Sequence, residues 1–146
     1  KKQQITEYLS AKKAKAYLAI QPNELIITSD TTVWVDDESL EKAENREEAY
    51  EMIKKLSGKT HSVYTSVTIR TTEKEVTFSD ETHVTFSDLS DEEIYFYIDQ
   101  YKPFDKAGAY GVQEWIGYIG VENMNGSYFN VMGLPTHRLY KELMQF

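Results

Sequence analysis

Asp30 lies in the run Thr28-Ser29-Asp30-Thr31-Thr32, hydroxyl residues on both sides, inside a segment that is otherwise β-branched and mostly apolar. A carboxylate there has to be compensated, because burying it unpaired is costly. Residue types alone leave two readings. Either the strand ends near Ser29 and Asp30 sits in an Asx-type turn, or Asp30 stands at a strand's C-terminal end and faces a crevice where a metal or water can sit. The cationic candidates are less marked. Lys12, Lys13 and Lys15 have the pattern of a solvated helix face, and Lys42, in Leu40-Glu41-Lys42-Ala43, that of an ordinary loop lysine. The stretch Asp105-Lys106-Ala107-Gly108-Ala109-Tyr110-Gly111-Val112-Gln113 is rich in small residues. Its glycines permit close backbone approach to a ligand, and Gln113 can offer a donor and an acceptor to a base edge; a glycine-adapted turn explains the same residues. His61, His83 and His137 lie far apart, without the local spacings of a metal site, and read as structural or solvent-facing. No P-loop, dinucleotide fingerprint, G-x-S-x-G elbow or H-E-x-x-H helix occurs.

These residues need elements to hold them. Ile5, Leu9, Ala16 and Ile20 recur at near-helical spacing, which predicts a helix over 5–20 with Thr6 as its N-cap, broken by Pro22-Asn23. A buried strand follows over 24–35, its apolar run interrupted by the polar stretch around Asp30. Asn45 with Glu48 signals the start of a second helix, whose apolar face is Ala49, Met52, Ile53 and Leu56 and whose stop is Ser57-Gly58. Alternating segments over 61–71 and 75–86 predict a long antiparallel hairpin. Ser90 and Glu93 form a capping box before a helix that carries Ile94, Tyr97, Ile98 and Tyr101. A short strand is expected over 115–121, a turn at Asn125-Gly126 and a return strand over 128–132. A last helix should begin at Pro135 and bury Leu139, Leu143, Tyr140 and Met144. The expected fold class is a mixed α/β domain with antiparallel pairs, spanning 1–146 as one domain.

Composition narrows the function. With 146 residues the chain can bury a real core, and 40% hydrophobic with 13% aromatic residues argues against disorder. The absence of cysteine removes disulfides, thiolate zinc sites and cysteine nucleophiles, and fits a cytoplasmic protein. No apolar run approaches the ~18 residues that span a bilayer. A net charge of −8 disfavours nucleic-acid polymers and anionic membranes as partners, though not a single nucleotide held by a few lysines.

Four stretches carry a family resemblance nearly end to end. Ser29-Asp30-Thr31-Thr32-Val33 resembles A-D-T-V-V; Arg46-Glu47-Glu48-Ala49 through Leu56-Ser57-Gly58-Lys59-Thr60-His61 resembles R-E-E-A…L-S-G-[RK]-T-H. Asp105 to Gln113 resembles D-K-A-G-A-Y-G-I-Q, and Asn130-Val131-Met132-Gly133-Leu134-Pro135 resembles N-V-V-G-L-P. All four belong to the Maf family of nucleoside triphosphate pyrophosphatases, also described as septum-formation inhibitors. The resemblance implies a Maf/ITPase-like twisted mixed sheet with flanking helices. It also implies hydrolysis of a nucleoside triphosphate to the monophosphate and pyrophosphate with a divalent metal, Mg or Mn, and a possible homodimer. Position by position, Asp30 is the acid that activates water or binds the metal. Lys13 and Lys42 match lysines that contact phosphate, and Thr31 and Gln113 fall at positions tied to base selectivity. The Gln form of the 105–113 motif resembles the branch that acts on dTTP and UTP.

The chain also departs from the pattern. The family's opening S-x-S-P-R-R motif, whose arginines would grip the triphosphate, is not among the 146 residues. The expectation is therefore a Maf-like domain without its N-terminal strand and loop. The family's G-K-P is Glu41-Lys42-Ala43, its T-G-V is Thr65-Ser66-Val67, and a glycine expected before the lysine loop is Asp37. Glu41 puts a negative charge near the expected phosphates. These departures motivate a second reading, a non-catalytic Maf-like module that binds a nucleotide or a partner linked to septum formation.

Overall fold

The computed structural model describes residues 2–146. The elements are α1 (Lys2–Ala16), β1 (Ile26–Val35), β2 (Glu38–Leu40), α2 (Arg46–Leu56), β3 (Thr60–Arg70), β4 (Glu75–Phe86), α3 (Asp91–Tyr101), α4 (Trp115–Gly120), β5 (Val121–Asn125), α5 (Tyr128–Met132) and α6 (Thr136–Gln145). The strands form one five-stranded sheet in the order β2-β1-β3-β4-β5. The mixed α/β class and the long β3–β4 hairpin are as expected. Chain contacts divide into two compact units, the first comprising residues up to Thr31, Tyr64–Glu81 and Tyr128–Phe146, the second Thr32–Val63 and Thr82–Ser127.

In the first unit α1 buries Thr6, Ser10 and Ala14, and not the apolar set anticipated for it. Ile5 is exposed, and Thr6 lies inside the helix instead of capping it. The reason is that α1 meets the sheet through hydroxyls. Thr6 Oγ1 lies 2.7 Å from Ser66 Oγ, Ser10 Oγ lies 2.9 Å from Thr68 Oγ1, and these pair onward with Ser79 and Thr77 of β4. Short hydroxyl side chains let a helix approach closely, and each buried one here has a partner. Ser66, which stands where the family pattern has glycine, is a member of this layer. On the other face Val67, Ile69, Phe78 and Leu139 form the apolar core of the unit, with Val76, Leu143 and Phe146 against it. Helix α6 starts after Pro135 and buries Leu139 and part of Leu143, but Tyr140 and Met144 are exposed.

In the second unit β1 turns into β2 through Asp36 and Asp37, both at positive φ (51° and 61°), which is the geometry of a two-residue hairpin turn. Helix α2 is capped as expected, with the Glu48 N–H donating to the Asn45 side chain, and it buries Ala49, Ile53 and Leu56. Ser90 and Glu93 form the full capping box of α3. Tyr50 of α2 stacks on Tyr95 of α3 at 4.6 Å, and Arg46 grips Asp99 through two hydrogen bonds of 2.8 and 3.0 Å.

The stretch 115–121 is not a strand. Trp115–Gly120 is helical, and the following Val121–Asn125 pairs antiparallel with β4. Gly117 decides this. A Cβ there would lie 1.8 Å from the Val112 carbonyl oxygen, so only glycine lets the chain curl tightly enough for the Gly117 N–H to reach the Glu114 carbonyl at 2.9 Å. Tyr128–Met132 is likewise a helix and not a return strand, with Asn130 buried on it; β5 ends at Asn125, and Asn125-Gly126 does not close a hairpin.

Candidate active site

Strand β1 does not end at Ser29. It runs through the polar stretch to Val35, which rules out the Asx-turn reading of Asp30 and also places Asp30 in the middle of the strand instead of at its C-terminal end. Alternate residues of a strand share a face, and Thr28 and Asp30 both reach α1. Thr28 Oγ1 donates to the Ser10 carbonyl at 2.7 Å, and Lys13 Nζ donates to Asp30 Oδ1 and to the Ser29 carbonyl, each at 2.9 Å. Ser10 and Lys13 stand three apart on α1, neighbours on one helix face. The compensation that Asp30 requires is thus a lysine 17 residues away in sequence. The Asp30 side chain is 20% exposed and that of Lys13 53%, so both are open to a ligand. Of the three clustered lysines Lys13 alone has this role; Lys12 and Lys15 are exposed.

Thr31 points to the opposite face. Its Oγ1 lies 2.9 Å from Thr65 Oγ1, and Thr65 in turn donates to the Asn130 carbonyl at 2.9 Å. That carbonyl also accepts the Gly133 N–H at 3.0 Å, so the segment 130–135 presents a turn to Thr65. Gly133 has φ 115°, and a Cβ on it would stand 3.6 Å from Thr31 Oγ1. A ligand touching both Asp30 and Thr31 therefore straddles β1. The residues Thr65 and Asn130 were not legible as site residues. The only hint of them was a threonine on the inward face of a strand and an asparagine in a motif.

Lys42 and Gln113 belong to the second unit. Lys42 is exposed and forms a β-bridge with Ala107, while the Gly108 N–H donates to the Leu40 and Glu41 carbonyls at 3.1 and 3.2 Å. The backbone thus fastens the lysine loop to the 105–113 stretch, with Gly108 at φ 71° and its Cβ position 3.1 Å from Val33. Hydrogen bonding from Lys106 holds the Asp105 carboxyl below its ordinary range, and Lys42 adds to the effect. Glu41 accepts a hydrogen bond from Ser39. The stretch is a shaped loop anchored from below, and not a loose turn. Tyr110 OH lies 2.6 Å from His61 Nε2, and Tyr97 OH accepts the Gly111 N–H at 2.9 Å while donating to Glu114 Oε1 at 2.5 Å. Burial and the Glu114 carboxylate push the Tyr97 phenol far up, and burial does the same for Tyr110; both remain protonated donors. Gln113 projects from this anchored loop and is exposed.

His61 is structural, as its isolation in sequence suggested. It is 1% exposed and packs edge-on against Phe86 and Tyr110. Burial lowers its pKa from 6.5 to about 4. In the unfolded chain the ring takes its proton near pH 6.5, so below that pH the unfolded state binds the extra proton. Folding stability then falls as pH drops from 6.5 and levels off below about 4, a loss of about 3 kcal/mol from this group. Urea unfolding midpoints followed from about pH 7 to pH 4.5 should drop more steeply for the wild-type chain than for His61→Gln; parallel curves would contradict the assignment.

Among the described residues no group of three or more His, Cys, Asp or Glu side chains is placed to hold a metal by itself, and no helix is long and apolar enough to cross a membrane.

The family described as Maf-like protein matches residues 1–146. The chain is 56% identical over 141 residues to a protein of Bacteroides thetaiotaomicron named dTTP/UTP pyrophosphatase, covering 96% of this chain and 73% of that one. It is 55% identical over 144 residues to a protein of the same name from Phocaeicola vulgatus, covering 98% and 75%. The corresponding protein of Flavobacterium psychrophilum, again named dTTP/UTP pyrophosphatase, is 51% identical over 142 residues, covering 97% and 73%. The motifs that place Asp30 beside Lys13, and Lys42 beside the 105–113 loop, thus lie in a chain matched along its whole length: it belongs to the Maf-like protein family.

Proposed function

We propose that this chain is a nucleoside triphosphate pyrophosphatase acting on dTTP and UTP. The reaction joins water to the α-phosphorus and breaks the bond from the α-phosphorus to the bridging oxygen, giving the nucleoside monophosphate and pyrophosphate. The observation that carries the reading is the pair Lys13–Asp30 at 2.9 Å, which sets a cation for phosphate oxygens directly beside a carboxylate for water. Asp30 orients the attacking water and accepts its proton, a role in which a positioned carboxylate is effective. Lys13 and Lys42 neutralise phosphate charge that builds up during the displacement. Gln113 and Thr31 read the base.

A divalent cation fits this arrangement as a substrate-borne ion. Magnesium commonly binds through one or two carboxylates plus phosphate oxygens and waters, and Asp30 supplies one such carboxylate. When bound, the cation would add charge neutralisation at the phosphates. Such chemistry draws on free nucleotides and belongs in the cytoplasm.

Pyrophosphate release should be measured with dTTP, UTP, CTP, ATP and GTP in Mg²⁺ or Mn²⁺. The expected result is turnover of dTTP and UTP well above the others. Nucleotide binding without release from any of them would replace this reading with the non-catalytic one.

A further inference from the structure

The hydrogen-bond chain Thr31–Thr65–Asn130 has a direction, and that direction bears on which bases the site accepts. Thr65 is fully buried and has one hydroxyl proton. The carbonyl of Asn130, 2.9 Å away, can only accept. If Thr65 gave its proton to Thr31 instead, two oxygens would face each other at 2.9 Å with no proton between them. The proton of Thr65 therefore belongs to Asn130. The 2.9 Å contact between the two threonine hydroxyls then needs a proton from Thr31. With its only proton committed inward, Thr31 Oγ1 keeps nothing but lone pairs for anything that approaches it.

The approach is left open. Thr31 is half-buried, and the residue beside its hydroxyl is Gly133, which has no side chain at the position 3.6 Å from the oxygen. A fixed acceptor on a half-buried residue selects a ligand donor. Uracil and thymine, with N1 joined to the sugar, carry a single N–H on the base, N3–H. Cytosine has an unprotonated N3 in the same place, an acceptor that would meet another acceptor.

We propose that Thr65 is a positioning residue for base selection: it makes Thr31 an obligate acceptor, and Thr31 in that state takes the N3–H of uracil or thymine and turns cytosine away. The proposal rests on the dTTP/UTP reading above and extends it to a specific atom of the base. A site built around such a hydrogen bond rejects an analogue that cannot complete it, because the polar group is left unpaired.

The test compares UTP, CTP and N3-methyl-UTP on the wild-type chain, with pyrophosphate release as the readout. The methyl analogue has no N3–H, so its kcat/KM should fall at least tenfold below that of UTP, and this arm needs no variant to fold. Thr31→Val should erase most of that penalty, bringing the two uridine nucleotides within about twofold of each other. Thr65→Val frees the Thr31 proton to turn outward, so the UTP-to-CTP ratio of kcat/KM should drop about tenfold, while Thr65→Ser, which keeps the hydroxyl, should preserve the ratio. A purely structural role for Thr65 would lower UTP and CTP turnover in parallel, and that result overturns the proposal. So does equal turnover of UTP and N3-methyl-UTP by the wild-type chain. Failure to release pyrophosphate from either dTTP or UTP would instead bring down the enzymatic reading on which the proposal stands.

Discussion

Asp30→Asn should lower kcat for pyrophosphate release by about 10²- to 10⁴-fold, the range over which a positioned general base contributes. The amide keeps the shape of the carboxylate and can still accept the hydrogen bond of Lys13, which also holds the Ser29 carbonyl. What disappears is the negative charge and with it the capacity to take a proton from water. The fold should survive, since a partly exposed ion pair contributes at most about 1 kcal/mol, and the melting temperature should move by no more than a few degrees. The loss should be the same for dTTP and UTP, because Asp30 acts on the phosphate end of the substrate. Steady-state kinetics on both nucleotides, with a melting curve for each protein, measures all of this. Wild-type rates in the variant would remove Asp30 from the chemistry.

The second large effect is on folding. Gly117→Ala should destabilise the chain by about 3 kcal/mol or more, beyond the ordinary range for single substitutions and tied to a named clash. A methyl group there would stand 1.8 Å from the Val112 oxygen and 2.8 Å from its carbonyl carbon. Both are backbone atoms, with no flexible side chain to swing aside. Gly120 in the same helix is the control. Its Cβ position is 3.4 Å or more from the side chains of Leu89 and Ile116, ordinary packing distances, so Gly120→Ala should cost no more than about 1 kcal/mol. Thermal denaturation of the two variants should separate them by at least about 4–8 °C. Equal losses would mean that the tight turn from Val112 to Gly117 does not govern α4.

What was legible in sequence followed from local chemistry. Asn45 and Ser90 announce helix starts because the bonds that satisfy the first turn lie within three residues. The alternation in 61–86 announces a hairpin because its period of two persists on both arms. The region 115–132 was not legible. Trp115, Ile116, Tyr118 and Ile119 have the composition of a strand, and the contact that overrides it, Gly117 against the Val112 carbonyl, exists only once the loop has folded. The candidate site shows the same division. Asp30 is conspicuous by its surroundings in sequence, but Lys13 acquires meaning only when α1 lies beside β1. Lys42 likewise reads as a loop lysine until the bridge to Ala107 forms. Thr65 lay hidden among the inward residues of a strand, because its importance depends on where one proton goes.

The layer of hydroxyls beneath α1 has a mechanical consequence. Two greasy surfaces can glide past each other by a fraction of a residue at little cost, since dispersion contacts are numerous and weakly directional. Thr6 on Ser66 and Ser10 on Thr68 cannot do this, because a hydrogen bond weakens steeply when its distance and angle are spoiled. The helix is indexed to the sheet like a toothed rack, and the next tooth along is Lys13. Its ammonium group is delivered to Asp30 at a fixed station, with a placement that an apolar seam of equal area would leave loose.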